Sequence, residues 1–136
     1  MDVIFYLSNF DKKQMLFEKQ VISLIPGNHR IICNSLNELS SVLTRTLEGQ
    51  RICVVVAGKK QDLLDLISIR ELLRKSKLIL LLPDTSRELV EIAHTLYPRY
   101  LDSIRSSFSN IGSVLSKMLD NRSIDPSVEY HKAIQA

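Results

Sequence analysis

Arg51-Ile52-Cys53-Val54-Val55-Val56-Ala57-Gly58-Lys59-Lys60 is the stretch that decides the fold. Five apolar residues in a row, rich in β-branched side chains, read as a strand buried on both faces, the kind found in the middle of a parallel sheet. In an open α/β sheet, chemistry sits just past the carboxyl end of such a strand. Here that place holds Ala57, Gly58, Lys59 and Lys60: no acid, no nucleophile and no metal ligand.

Working outward, Leu78–Leu82 is a second run buried on both faces, stopped by Pro83, and Val3–Leu7 is a short apolar run. Two further strand candidates are more polar: His29–Asn34 and Arg99–Ile104. Helical patterns fill the spaces between. The first, after Ser8-Asn9-Phe10-Asp11, puts Phe17, Val21, Leu24 and Ile25 on one face and stops at Pro26-Gly27. The second opens on Ser35-Leu36-Asn37-Glu38, a capping box, and runs through Leu36, Leu39, Leu43 and Leu47 to Gly49. The third is capped by Asp62, carries Leu66, Ile69, Leu72 and Leu73, and ends in Arg74-Lys75-Ser76-Lys77, whose three cations suit a helix C-terminus. A second capping box, Thr85-Ser86-Arg87-Glu88 with Thr85 as cap, precedes the stripe Leu89, Ile92, Ala93 and Leu96. The last helix, entered through Ser107 or Ser109, has Ile111, Val114, Leu115, Met118 and Leu119. Residues 121–136 read as a tail with at most one helical turn around Val128 to Ile134.

Five βα units in strict alternation predict a parallel sheet with helices on both faces, a three-layer α/β sandwich over residues 1–120. The two polar strands belong at the edges, where half the surface is wet, and the apolar ones inside. Strand order 2-1-3-4-5 satisfies this and is the flavodoxin-like arrangement. Cys33 and Cys53 then sit in the second and third strands with the first between them, roughly 9–10 Å apart and beyond disulfide reach.

The 136 residues fit one domain, and 45% hydrophobic with 24% charged residues is ordinary for a globular chain. A net charge of +3, basic runs no longer than Lys12-Lys13 and Lys59-Lys60, and the absence of Trp argue against nucleic acid. No segment approaches the length needed to span a membrane, and the apolar run at the N-terminus is too short for a signal peptide. Two cysteines inside apolar runs suit free thiols in a reducing compartment, so a cytoplasmic protein is expected.

Five βα units in about 120 residues, with this order of edge and central strands, resemble a response-regulator receiver domain. That resemblance implies an acidic pair after the first strand, a phosphoacceptor Asp ending the third, a Ser or Thr after the fourth and a Lys after the fifth. This chain has Ser8-Asn9, Ala57-Gly58, Pro83-Asp84-Thr85 and Arg105-Ser106-Ser107 at those places. A register shift of one residue restores none of the main three, and Thr85 is explained as a helix cap. The chain is thus similar to a pseudo-receiver, with the fold retained and the phosphorylation chemistry removed.

Other constellations are thin. His29, His94 and His131 are far apart, with no carboxylate or Cys at ligand spacing, so no metal is expected. Gly27, Gly49, Gly58 and Gly112 are isolated, so no phosphate loop or cofactor is expected either. Asp84 with Thr85 is explained by a turn and a cap. The expected function is therefore a non-catalytic regulatory module in signalling that binds a protein partner or a second copy. The resemblance places its contact face on the fourth helix, fifth strand and last helix: Arg87, Glu91, His94, Thr95, Tyr100, Asp102 and Lys117, with Tyr100 or Asp102 meeting solvent beside an edge strand. The alternative is a small-anion or nucleotide sensor using Lys12, Lys13, Lys59, Lys60 and Arg105 at the carboxyl end of the sheet.

Overall fold

A computed structural model of the chain describes residues 3–7, 13–45, 51–104 and 108–120. In chain order the elements are β1 (Val3–Leu7), α1 (Lys13–Gln20), β2 (Arg30–Cys33), α2 (Leu36–Arg45), β3 (Ile52–Val56), α3 (Lys60–Ile67), α4 (Arg70–Leu73), β4 (Lys77–Leu82), α5 (Arg87–His94), β5 (Tyr100–Ser103) and α6 (Phe108–Asp120). Short 3-10 turns at Ile22–Leu24 and Gly27–His29 link α1 to β2. All strand pairs are parallel, and the order is β2-β1-β3-β4-β5, so the flavodoxin-like α/β sandwich is the fold of this chain. Ser8-Asn9, Asp11, Lys12, Leu47, Gly49, Arg105, Ser106-Ser107 and the tail 121–136 lie outside the described residues.

Every residue of β1 and β3 is buried, because each strand is covered on both faces. Side-chain alternation divides the core in two. Ile4, Tyr6, Cys53, Val55, Leu78, Leu80 and Leu82 point to the layer of α2 to α5. Val3, Phe5, Leu7, Ile52, Val54, Val56, Ile79 and Leu81 point to the layer of α1 and α6. In that second layer Phe17 meets Phe5 and Phe108 edge to face, with ring centroids 6.2 and 5.3 Å apart, which ties α1 and α6 to the sheet. Arg51, just before β3, is buried, and its Nε donates to Ser76 Oγ at 2.9 Å. A guanidinium there is tolerated because its donors find oxygen.

Four local expectations are corrected. Leu24 is not on the buried face: α1 ends at Gln20, and the tighter 3-10 turn stacks Ile22 over Ile25, leaving Leu24 50% exposed. The segment read as one helix from Asp62 to residue 77 is two, α3 and α4. Ser68 Oγ donates to Asp65 O at 2.6 Å and Ile69 leaves the helical region at φ −117°, ψ 20°. Asp62 does not cap α3 from in front but sits one turn inside it, behind Lys59. The cap of α5 is Ser86 rather than Thr85, its Oγ accepting from Leu89 N–H at 3.5 Å. The Ser35–Glu38 box forms as read, with Ser35 Oγ accepting from Glu38 N–H at 3.1 Å. The Glu38 carboxylate reaches back one residue further than expected, to Asn34 N–H at 3.2 Å.

Candidate interaction surface and the carboxyl end of the sheet

At the carboxyl end of β3, Ala57 is fully buried and its N–H donates to Leu81 O at 2.9 Å, so the strand pair continues one residue past its regular end. Gly58 and Lys59 then turn the chain into α3. Asp62 is the carboxylate next to this turn. Its Oδ2 accepts from Gly58 N–H at 3.0 Å and from Lys59 N–H at 3.1 Å. A lysine ammonium has no lone pair to offer, so the cap comes from Asp62 alone. The negative charge sits in the first turn of α3, where the helix dipole favours it.

Of the cations expected to gather here, Lys59 is exposed in the turn after β3, and Lys60, which opens α3, forms an ion pair with Glu88 in the first turn of α5. Lys13 opens α1, and Lys12 and Arg105 fall outside the described residues. After β4, Asp84 Oδ1 accepts from Ser86 N–H at 2.9 Å, which shapes the turn that delivers the α5 cap. Thr85 is exposed beside it.

Helix α5 brings Arg87, Glu91, His94 and Thr95 together as an exposed row. Arg87 Nε meets Glu91 Oε1 at 3.1 Å across one turn, and Thr95 Oγ1 donates to Ile92 O at 2.6 Å. Lys117 is exposed too, but on α6, in the opposite layer of the sheet. Tyr100 and Asp102 do not meet solvent. Both are buried, at 3% and 4% exposure. The polar character that suggested a wet edge is consumed internally: Tyr100 O–H donates to Asp102 Oδ2 at 3.0 Å, and Ser103 N–H donates to Asp102 Oδ1 at 2.7 Å. Burial, then the Asp102 charge and that hydrogen bond, push the Tyr100 hydroxyl well above its ordinary range.

One surface residue escaped the sequence reading. Tyr97 is 64% exposed, holds a positive φ of 55° and lies under the Arg74 guanidinium, 5.1 Å from its ring centre. The signal was present in Tyr97-Pro98: a residue between a helix end and a proline is pushed out of the right-handed helical region.

Both thiols are held in the neutral form by burial. Burial, reinforced by Glu38 and opposed by Arg45, raises Cys33 to about 11, and burial with the neighbouring Cys33 raises Cys53 to about 12 against the pull of Arg51. Both are free, and β1 stands between their strands. Among the described residues no three His, Cys, Asp or Glu side chains cluster as a metal site, and no helix is long and apolar enough to cross a membrane. Comparison with protein-family models, with curated proteins and with solved structures returned no match.

Proposed function

We propose that this chain is a receiver-like module that regulates a protein partner by surface contact, without phosphorylation and without catalysis, in the cytoplasm. The observation that carries the reading is the carboxyl end of β3. Its terminal positions are Ala57 and Gly58, and the adjacent carboxylate, Asp62, is committed to two backbone amides. A receiver needs an aspartate there as nucleophile and oxygen ligands for a divalent cation beside it. The anion-sensing alternative is weakened by the Lys60–Glu88 pair, which neutralises one of its cations. The partner face is the exposed row on α5, where the apolar stripe Leu89, Ala93 and Leu96 turns to the core and the charged side turns out.

Incubation with a small phosphodonor and Mg²⁺ tests the reading directly. The intact mass should not change, and a gain of one hydroxylamine-labile phosphoryl group overturns it. For the α5 face, the double exchange Arg87→Glu with Glu91→Arg keeps the internal ion pair while reversing the pattern a partner meets. Partner capture should fall while the melting temperature barely moves, since exposed pairs contribute about 0–1 kcal/mol. Undiminished capture would place the contact elsewhere.

A further inference from the structure

The two edges of the sheet are finished differently. All four residues of β5 are buried, whereas β2 leaves Arg30 and Ile31 half-buried and Ile32 40% exposed. Ile32 belongs to neither core cluster. Proteins commonly blunt an edge strand with lysine, proline or a bulge, because its outer N–H and C=O groups template further pairing. Ile31-Ile32-Cys33 carries none of these. The single cation of β2, Arg30, is turned back, donating to Ile22 O and Ile25 O at 3.1 and 3.4 Å.

Beside this edge runs an open groove of about 660 Å³, walled on the far side by Glu38, Ser41, Val42 and Arg45 of α2. These positions follow i, i+3, i+4, i+7 and so form one stripe. The stripe has a carboxylate at one end and a guanidinium at the other, two helical turns or about 10 Å along the axis. Such a stripe is complementary to itself when reversed. Antiparallel strands are related by a two-fold axis perpendicular to the sheet, so copies joined β2 to β2 keep both α2 helices on the same face, running in opposite directions.

We propose that a second copy of this chain docks here, joining two five-stranded sheets into one, with Ile32 beside its counterpart and Glu38 of each copy facing Arg45 of the other. The occupant is a second copy rather than a loose peptide because a peptide strand would use only the edge, whereas the charge order on α2 matches another α2. The α5 face takes no part, so this association and the partner contact are separable.

Sedimentation velocity of the full chain from micromolar to millimolar concentration reads the outcome. The wild type should pass from monomer to dimer. Glu38→Arg alone and Arg45→Glu alone each place two like-charged pairs across the axis and should weaken the dimer about tenfold or more. The double exchange restores opposite charges and should return the dissociation constant to within about threefold of the wild type. Loss of the Glu38 carboxylate from Asn34 N–H is common to Glu38→Arg and the double variant, so recovery of the double over that single cannot come from the cap. Ile32→Lys, which leaves α2 untouched, should abolish the dimer. A wild type that stays monomeric throughout, a dimer indifferent to Ile32→Lys, or a double exchange no better than the singles overturns the proposal.

Discussion

Replacing Asp62 by alanine should destabilise the fold while leaving its shape intact. The carboxylate accepts two amide hydrogen bonds, from Gly58 and Lys59, at 3.0 and 3.1 Å, and sits in the first turn of α3. Losing a helix cap of this kind costs about 1 kcal/mol, and the favourable charge at the helix N-terminus adds about 0.3–1 kcal/mol. The site is half-buried, so Asp62→Ala should cost about 1–2 kcal/mol, a drop of roughly 3–8 °C in melting temperature for a chain of this length. Asp62→Asn keeps an acceptor oxygen but no charge and should lose about half as much. Urea unfolding followed by circular dichroism should show a lower midpoint with unchanged slope, and amide exchange should quicken at Gly58 and Lys59. A variant as stable as the wild type would refute the cap. A Mg²⁺-dependent rise in melting temperature that Asp62→Asn removes would refute more, because the carboxylate would then be a cation ligand.

The buried thiols should resist a disulfide reagent in the native protein at pH 8 and react at once in urea. A native Cys33–Cys53 bridge would contradict the β2-β1-β3 order. Thiols held neutral to about 11 and 12 in the fold but ionising near 9 when unfolded make stability fall as pH rises from about 9. Tyr6 and Tyr100, also raised chiefly by burial, act in the same direction, and alanine at both cysteines should flatten the alkaline slope measured by urea unfolding. At Gly112 an added methyl would come 3.1 Å from Leu24 Cδ1, the end of a half-exposed side chain that can give way. Gly112→Ala should therefore gain up to about 0.5–1 kcal/mol of helix preference in thermal melts, and a loss would mean that Leu24 is pinned. Tyr100→Phe should cost about 1–3 kcal/mol by depriving buried Asp102 of a donor, and an unchanged melting temperature would show that water replaces it.

The strand order was legible because it follows from a contrast along the chain: Val54–Val56 and Leu78–Leu82 are uniformly apolar, while His29–Asn34 and Arg99–Ile104 are not. The environment of the last strand was not legible. Asp102 reads as a wet residue in any one-dimensional pattern, and the Tyr100 hydroxyl and the Ser103 N–H, both on the same strand, show how its carboxylate is accommodated inside. Helix stripes survived where the helix kept its period, as at Leu89, Ala93 and Leu96, and failed where the period tightened, as at Leu24. The candidate site divided in the same way. Arg87, Glu91, His94 and Thr95 lie on one regular helix and came out together. The β2 groove joins residues on two elements, and its self-complementary charge order emerges only when strand and helix are set side by side.

The position of β1 has a consequence for synthesis. This wholly apolar strand pairs with β2 on one side and β3 on the other, and β3 lies roughly 45 residues further along the chain. At translation rates of about 5–20 residues per second, the second flank of Val3–Leu7 stays unpaired for about 2–9 s after the strand has been made. For that interval the nascent chain offers an open, uncharged strand to anything nearby, including the next chain on the same message. Shielding β1 during synthesis should therefore raise the yield of folded chain without changing the stability of the finished sheet, an outcome that co-expression with a nascent-chain chaperone would read.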